Sequence, residues 1–338
     1  MTHPAVLALT MGEPAGIGGE LALMAWMARH AQMVPPFLLI DDVTRLRTLA
    51  HRLGFKVPIT EICDAADAAA VFNTALPVLP ISLPVPVEPG HPDPANGQAV
   101  LASLERAVAL TVEGGTSAVV TNPIHKGILY QAGFRYPGHT EYLGALLGVP
   151  TPVMMLEGGG LRVVPVTCHL SVRQALASLT ASAIIHWGRV TANALTQDFG
   201  IKTPRLAVAG INPHAGENGA LGDEEITIIA PAIAVLAADG IAVTGPHPPD
   251  TLFHAQARQR YDAALCMLHD QALIPLKTLA FETGVNITLG LPIVRTSPDH
   301  GTAFDLAGTG SANPASLIAA LGTAARLAAT RAAQAPPS

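Results

Sequence analysis

A chain of 338 residues is longer than one hydrophobic core sustains, since single cores stop growing near ~250–300 residues, so two domains are expected. Charged residues make up 13% of it, aromatics 4% and hydrophobic residues 49%; against the roughly 25% charge of an average soluble chain this excludes coiled coil and charge-driven disorder. A net charge of −6, with Lys and Arg scattered along the chain, offers no basic stripe and excludes a nucleic-acid partner.

With so few aromatics the apolar fraction is mostly Ala, Val, Leu and Ile, the composition of buried parallel strands and small-residue helices, and it points to α/β. No membrane span is expected, because no run reaches about 18 apolar residues: 21–40 is broken by Arg29, His30, Pro35 and Pro36, and 75–87 by Pro77, Pro80, Pro84 and Pro86. Met1-Thr-His-Pro leads directly into an apolar run with no basic segment or cleavage site. Cys63, Cys168 and Cys266 form no CxxC and no disulfide spacing, so a reducing, cytoplasmic setting is expected.

Short apolar runs bounded by turn residues predict strands at 6–11, 36–40, 117–121, 153–156, 161–166, 205–211, 241–243 and 263–268, separated by helical patterns, as in repeated βα units. Helices are predicted at 97–113, 172–199, 223–238 and 314–334. Asp223, Glu224 and Glu225 suit a helix start, where acidic groups meet the positive end of the dipole. The Pro-rich 77–94 segment reads as an extended surface connector.

The first glycine-rich segment, Gly12-Glu-Pro-Ala-Gly-Ile-Gly-Gly-Glu20, follows a strand and opens a helix, so its amides can receive an anion. It lacks the GxGxxG spacing of a dinucleotide fold. Lysines are few, and Lys126, in Thr121-Asn-Pro-Ile-His-Lys126, sits at a strand end in a motif-like setting. Gly138-His-Thr-Glu141 places an imidazole and a hydroxyl beside a carboxylate, a set that binds a polar substrate or moves a proton; an N-cap with a nearby Glu is the plainer reading.

Three histidines, His169, His214 and His269, each follow an apolar run, and strand ends are where open α/β sheets place their sites. They can converge into a three-nitrogen metal site with an open position for substrate, or be three unrelated loop residues; gaps of this length match no local metal signature. Glu217 and Asp270 can orient such ligands or cap turns. Cys168 and Cys266 point to the opposite strand face from their neighbouring histidines and read as buried thiols. Lys277, with Asn286 and Arg295 beyond it, can grip phosphate or carboxylate. The irregular stretch 299–314, holding His300, Asp305 and Asn313, suits a nucleotide cradle. A Ser-His-Asp hydrolase is disfavoured because no GxSxG elbow occurs.

Taken together, Gly12-Glu-Pro-Ala-Gly-Ile-Gly, Gly138-His-Thr-Glu, Asn212-Pro-His-Ala-Gly-Glu, 262–271, Val285-Asn-Ile-Thr-Leu-Gly-Leu-Pro and Arg295-Thr-Ser-Pro-Asp-His-Gly-Thr-Ala closely resemble the 4-hydroxythreonine-4-phosphate dehydrogenases of the pyridoxal-phosphate pathway, collinearly over essentially the whole chain. The resemblance implies a two-domain α/β/α fold with mixed, mostly parallel sheets, similar to isocitrate and isopropylmalate dehydrogenases. It implies a discontinuous terminal domain, 1–128 plus 284–338, carrying the cofactor loop, and a central domain, 129–283, for metal, substrate and dimerisation, with the chemistry in the cleft between them.

The resemblance also implies metal ligands at His169, His214 and His269 for one zinc, magnesium or cobalt ion, and substrate contacts at His139, Thr140, Lys277, Asn286 and Arg295. It implies NAD or NADP on His300, Gly301, Thr302, Asp305 and Asn313, NAD being favoured because no Arg or Lys closely follows His300. The expected general base is one of His139, Lys277 and Asp270, and the expected assembly a homodimer with shared active sites. The implied reaction oxidises a phosphorylated amino or hydroxy acid and then decarboxylates it. The chain departs from the family where a usual Pro is Gly19 and a frequent Thr is Cys168. These departures leave open a paralogue for another substrate, such as a threonate phosphate; a metal-dependent sugar-phosphate isomerase or lyase without nicotinamide is the alternative from another class.

Overall fold

The computed structural model describes residues 6–334; Met1–Pro4, on which the lack of a leader was read, lie outside them. In chain order the elements are β1 (Leu7–Thr10), α1 (Gly18–Met27), β2 (Phe37–Asp41), α2 (Val43–Leu53), β3 (Ile59–Glu61), α3 (Ala68–Val71), β4 (Leu76–Pro80), α4 (Gly97–Val112), β5 (Val119–Val120), α5 (Lys126–Gln131) and α6 (His139–Leu146). There follow β6 (Val153–Gly158), β7 (Leu161–Pro165), α7 (Val172–Ser178), α8 (Ala181–Gln197), β8 (Arg205–Ala209), α9 (Ala230–Ala238), β9 (Ala242–His247), α10 (Ala255–Arg258), β10 (Ala263–Cys266), α11 (His269–Ala280), β11 (Val285–Leu289), β12 (Arg295–Pro298) and α12 (Ala315–Gln334). This is the expected mixed α/β class. All eight expected strands are present within a few residues of their predicted limits.

Two compact units divide the chain, 1–151 with 291–338, and 152–290. These limits stand in place of 128/129 and 283/284, because Leu129, Phe134, Tyr142 and Leu143 pack into the first unit's core beside Val100 and Leu104 of α4. In the first unit the strands run β3-β4-β2-β1-β5-β12, every pairing parallel. Helix α4 packs on β1 and β2 and helix α12 on β12 and β5, so strands such as Leu7–Thr10 are buried throughout, as covered parallel strands must be. In the second unit the order is β11-β6-β7-β10-β8-β9, with β6 antiparallel to both its neighbours and the other pairs parallel.

Three expectations need correction. The 77–94 connector begins as a strand: β4 lies between β2 and β3, and Leu76 and Val78 are fully buried. The 172–199 helix is two helices, since Leu179 turns extended and Thr180 starts a new one by accepting a bond from the Ala183 amide at 3.2 Å. The 223–238 helix opens on a π-helical turn, Glu225–Ile229.

The departure at Gly19 has a physical basis. Arg45 is buried and bonded to both oxygens of the fully buried Asp41 at 3.0 and 2.8 Å, and it also donates to the Pro14 carbonyl at 3.1 and 2.7 Å. A Cβ at Gly19 would lie 2.9 Å from that guanidinium. Proline suits the first turn of a helix, so the obstacle is the arginine and not the backbone. Gly19→Pro is therefore expected to destabilise the protein by about 1–3 kcal/mol, the usual cost of overpacking, read as a lower denaturation midpoint; in an Arg45→Ala background the added penalty should largely vanish.

Candidate active site

Strands β7, β10 and β8 are parallel neighbours, so their C-terminal ends share one edge of the second unit's sheet, and each end carries one of the three histidines. His169 follows β7, His214 follows β8 and His269 is the first residue of α11 after β10. The rings of His169 and His269 are 6.0 Å apart between centroids. His269 Nδ1 meets Asp270 Oδ1 at 2.7 Å, which fixes the ring and leaves Nε2 as its donor atom. Among the described residues no group of three or more His, Cys, Asp or Glu side chains is placed to hold a metal ion. The structure thus brings His169 and His269 together and carries His214 on the loop of the adjacent strand.

Side chains tie these three ends to one another. Thr167 Oγ1 donates to the Met267 carbonyl at 2.7 Å, linking the ends of β7 and β10. Gln271 accepts from the Leu268 amide at 3.0 Å and donates to the Gly210 carbonyl at 2.9 Å, linking α11 to the end of β8. The backbone around two of the histidines is unusual: His169 has φ +53°, and His214, Ala215, Gly216, Glu217 and Asn218 form a left-handed run with φ from +44° to +77°. For non-glycine residues each such step costs about 1–2 kcal/mol, so the surroundings must impose it.

Glu225 does not serve as a plain dipole partner at a helix start. Its buried carboxylate accepts from the amides of Ile211 and Asn212 at 2.7 and 2.8 Å and from Asn212 Nδ2 at 2.9 Å. Burial alone would raise its pKa, yet these bonds from Asn212 and Ile211 hold it below the usual carboxylate range. Of the two thiols expected to be buried, Cys266 is fully so, and burial pushes its pKa up; Cys168 is half-buried, its Sγ 3.8 Å from the Pro165 carbonyl.

Helix α11 carries Lys277 two turns beyond His269, and both line an open cavity of about 620 Å³ with Asp270, Leu273, Ile274 and Thr278. Asn286 lies on β11, and its Oδ1 is buried with no hydrogen-bond partner, an atom that a ligand donor would satisfy.

The first unit holds the remaining residues expected to meet substrate. Arg295 opens β12, is 3% exposed, and donates from Nη2 to Thr121 Oγ1 at 2.6 Å. Burial lowers its pKa to about 10, opposed by the charge of Glu141. His139 and Thr140 begin α6 after Gly138. His139 is held well below 6.5 by burial and then by the positive charges of Arg295 and Lys126, so it is neutral at pH 7. Lys126 borders the same place: a Cβ at Gly138 would lie 3.3 Å from its Cε and from Glu141 Oε2. Lys126 and Thr121 were absent from the expected contacts; the scarcity of lysine was the signal for the former. Two cations around a neutral imidazole form a site for an anion.

That imidazole makes stability pH-dependent. A folded-state pKa below the unfolded ~6.5 means that the unfolded chain takes up a proton which the folded protein refuses. Stability is therefore lost as pH falls from about 6.5 towards the folded pKa. His139→Gln should reduce the acid-side loss by up to about 1.4 kcal/mol per pH unit in that window, measured by denaturant titration at pH 7 and pH 5; an unchanged difference would count against a neutral His139.

The expected cofactor residues sit on an irregular stretch in the first unit. His300 Nδ1 is 3.0 Å from the Gly301 carbonyl, Asp305 is exposed, and the Thr302 carbonyl accepts the Ile17 amide at 3.1 Å. Asn313 Oδ1 accepts the Ala315 amide at 3.0 Å and caps α12. The glycine loop after β1 spends its amides internally: Glu13 donates to Pro123, Ala15 to the Glu13 side chain, Gly16 to Glu13 and Ile17 to Thr302. That loop braces the 299–314 stretch through the Ile17 amide, and its first amides are not directed at an anion.

A family model described as pyridoxal phosphate biosynthetic protein PdxA matches residues 32–324. A 4-hydroxythreonine-4-phosphate dehydrogenase of Bradyrhizobium diazoefficiens is 53% identical over 337 residues, covering 96% of this chain and 97% of its own. Among solved structures, one of a 4-hydroxythreonine-4-phosphate dehydrogenase from Klebsiella pneumoniae is 39% identical with a TM-score of 0.87, covering 96% of this chain and 98% of its own. A terephthalate 1,2-cis-dihydrodiol dehydrogenase from Burkholderia xenovorans is similar at 30% identity and TM-score 0.65, covering 95% and 98%. Matched along almost its entire length, the chain belongs to the PdxA family of pyridoxal phosphate biosynthetic proteins.

Proposed function

We propose that this chain is a 4-hydroxythreonine-4-phosphate dehydrogenase: it oxidises 4-phosphohydroxy-L-threonine with NAD or NADP, and the resulting β-keto acid loses carbon dioxide to give 3-amino-2-oxopropyl phosphate for pyridoxine 5′-phosphate formation. The observation that carries this reading is the buried Arg295 beside Lys126 and the neutral His139, a setting suited to a phosphorylated acid. In the first unit Arg295 and Lys126 suit an anion and Thr140 at the start of α6 offers a hydroxyl; in the second unit, taken by itself, Lys277 offers a cation and Asn286 an unpartnered buried oxygen.

His169, His214 and His269 would hold one divalent ion, zinc, magnesium or cobalt; neutral imidazoles, one of them oriented by Asp270, are the donor chemistry that such ions take. When bound, the ion supplies Lewis acidity for deprotonating the alcohol and for stabilising charge during decarboxylation. His300, Gly301, Thr302, Asp305 and Asn313 would hold the nicotinamide, which would supply the hydride acceptor. Since Asp270 is engaged by His269, the proton of the alcohol falls to His139 or Lys277.

Exposed apolar side chains on the second unit, Val172, Ile226, Ile274 and Phe281, each more than half exposed, suit a homodimer interface. No helix among the described residues is long and apolar enough to cross a membrane; the proposed cytoplasmic setting rests on the three free cysteines.

The test is absorbance at 340 nm with NAD and with NADP over a panel of 4-phosphohydroxy-L-threonine, threonate 4-phosphate and an unphosphorylated diol. Reduction with the first substrate alone supports the proposal. Preference for threonate phosphate marks a paralogue, preference for the diol aligns the chain with its 30% identical relative, and turnover without reduction marks an isomerase or lyase.

A further inference from the structure

We propose that Glu225 is a positioning residue for His214, an inference that rests on the reading of His214 as a metal ligand. The residue sits outside every family block that pointed to the site, yet its carboxylate is 3% exposed and aimed at the two residues from which the left-handed run of 214–218 departs. One oxygen accepts the amides of Ile211 and Asn212 at 2.7 and 2.8 Å; the other accepts Asn212 Nδ2 at 2.9 Å, and the same amide nitrogen reaches Glu224 Oε2 at 2.6 Å.

The chain around this carboxylate is shaped to admit it. A Cβ at Gly210 would lie 2.9 Å from one Glu225 oxygen, a Cβ at Gly216 would lie 2.6 Å from the other, and a Cβ at Gly222 would lie 2.4 Å from Asn212 Nδ2. Glu225 itself begins the π-helical turn that leads into α9, a local irregularity that recurs at functional positions. Closing a surface loop does not require a buried charge, which is costly to desolvate. A carboxylate that gathers three N–H donors does what a neutral side chain cannot: it fixes the exit angle of β8, and with it the direction of an imidazole two residues further on. From the other side, Gln271 holds Gly210 through its carbonyl, so His214 is set between helix α9 and the helix that carries His269.

The experiment is titration of the metal-free protein with Co²⁺, following both affinity and the visible spectrum of the bound ion, for the wild type, Glu225→Gln and Asn212→Ala, with circular dichroism to establish folding. Gln at 225 keeps the size but turns one acceptor into an amide facing Asn212 Nδ2. It is expected to weaken Co²⁺ binding about 10- to 100-fold, the range for lost orienting partners, and to alter the spectrum; Asn212→Ala, which leaves both backbone bonds, should do the same to a smaller degree. Wild-type affinity and spectrum in folded Glu225→Gln would overturn the proposal. Should that variant fail to fold, wild-type behaviour in Asn212→Ala would overturn it equally. Absence of Co²⁺ uptake by the wild-type protein would overturn the metal reading itself, and this inference with it.

Discussion

His214→Ala is expected to lose its divalent ion and to lower kcat/KM by more than ~100-fold, beyond the 10–100-fold effect of losing a partner that merely orients a ligand. The three-histidine set is the minimum that leaves an open position for substrate, and two imidazoles hold such ions far more weakly. Because His214 is exposed on its loop and contributes nothing to the hydrophobic core, the variant should fold normally. Elemental analysis after dialysis, alongside turnover, checks it: full metal occupancy with a normal rate would remove His214 from the site. Alanine also relieves nothing of the left-handed backbone, so a loss of binding is attributable to the imidazole.

Arg295→Ala is expected to raise KM for the phosphorylated substrate by about 30- to 4000-fold, following the 2–5 kcal/mol lost when one member of a buried charge pair is removed. Arg295→Lys should recover part of this, because it keeps the charge but not the planar fork. A second readout comes from His139. Since Arg295 contributes to its depressed pKa after burial, Arg295→Ala should move the His139 pKa upward, visible in the imidazole resonance by NMR. A KM unchanged in both variants would show that the anion binds elsewhere; a raised KM with an unmoved His139 would separate the two residues.

Much of the sheet is legible in the sequence because parallel strands buried on both faces read as short apolar runs, and 161–166, 205–211 and 263–268 reappear as β7, β8 and β10. The strands that escape this reading do so for definable reasons. β12, Arg-Thr-Ser-Pro, opens with three polar residues yet is wholly buried, because Arg295 bonds Thr121 and Thr296 bonds the Ala320 carbonyl at 2.9 Å. β4 hides behind Pro77 and Pro80, which sit at its second and last positions.

The same contrast holds at the site. That His169, His214 and His269 stand at strand ends follows from apolar runs before them; that those strands are adjacent follows only from the pairing. Lys126, His139 and Arg295 have no sequence spacing that links them, since β5 and β12 come together only in the folded sheet. Glu225 reads as an ordinary acidic helix start, and nothing local shows that its carboxylate turns back to residues 211 and 212.

The proposed reaction couples an oxidation to decarboxylation on a phosphorylated hydroxy acid. The most direct measurement is the ratio of carbon dioxide released to NADH formed when the purified protein is given 4-phosphohydroxy-L-threonine, NAD and a divalent ion. One carbon dioxide is expected for each NADH, with both products abolished together in His214→Ala. Carbon dioxide or a rearranged phosphate ester without NADH, or NADH formed undiminished by His214→Ala, would contradict it.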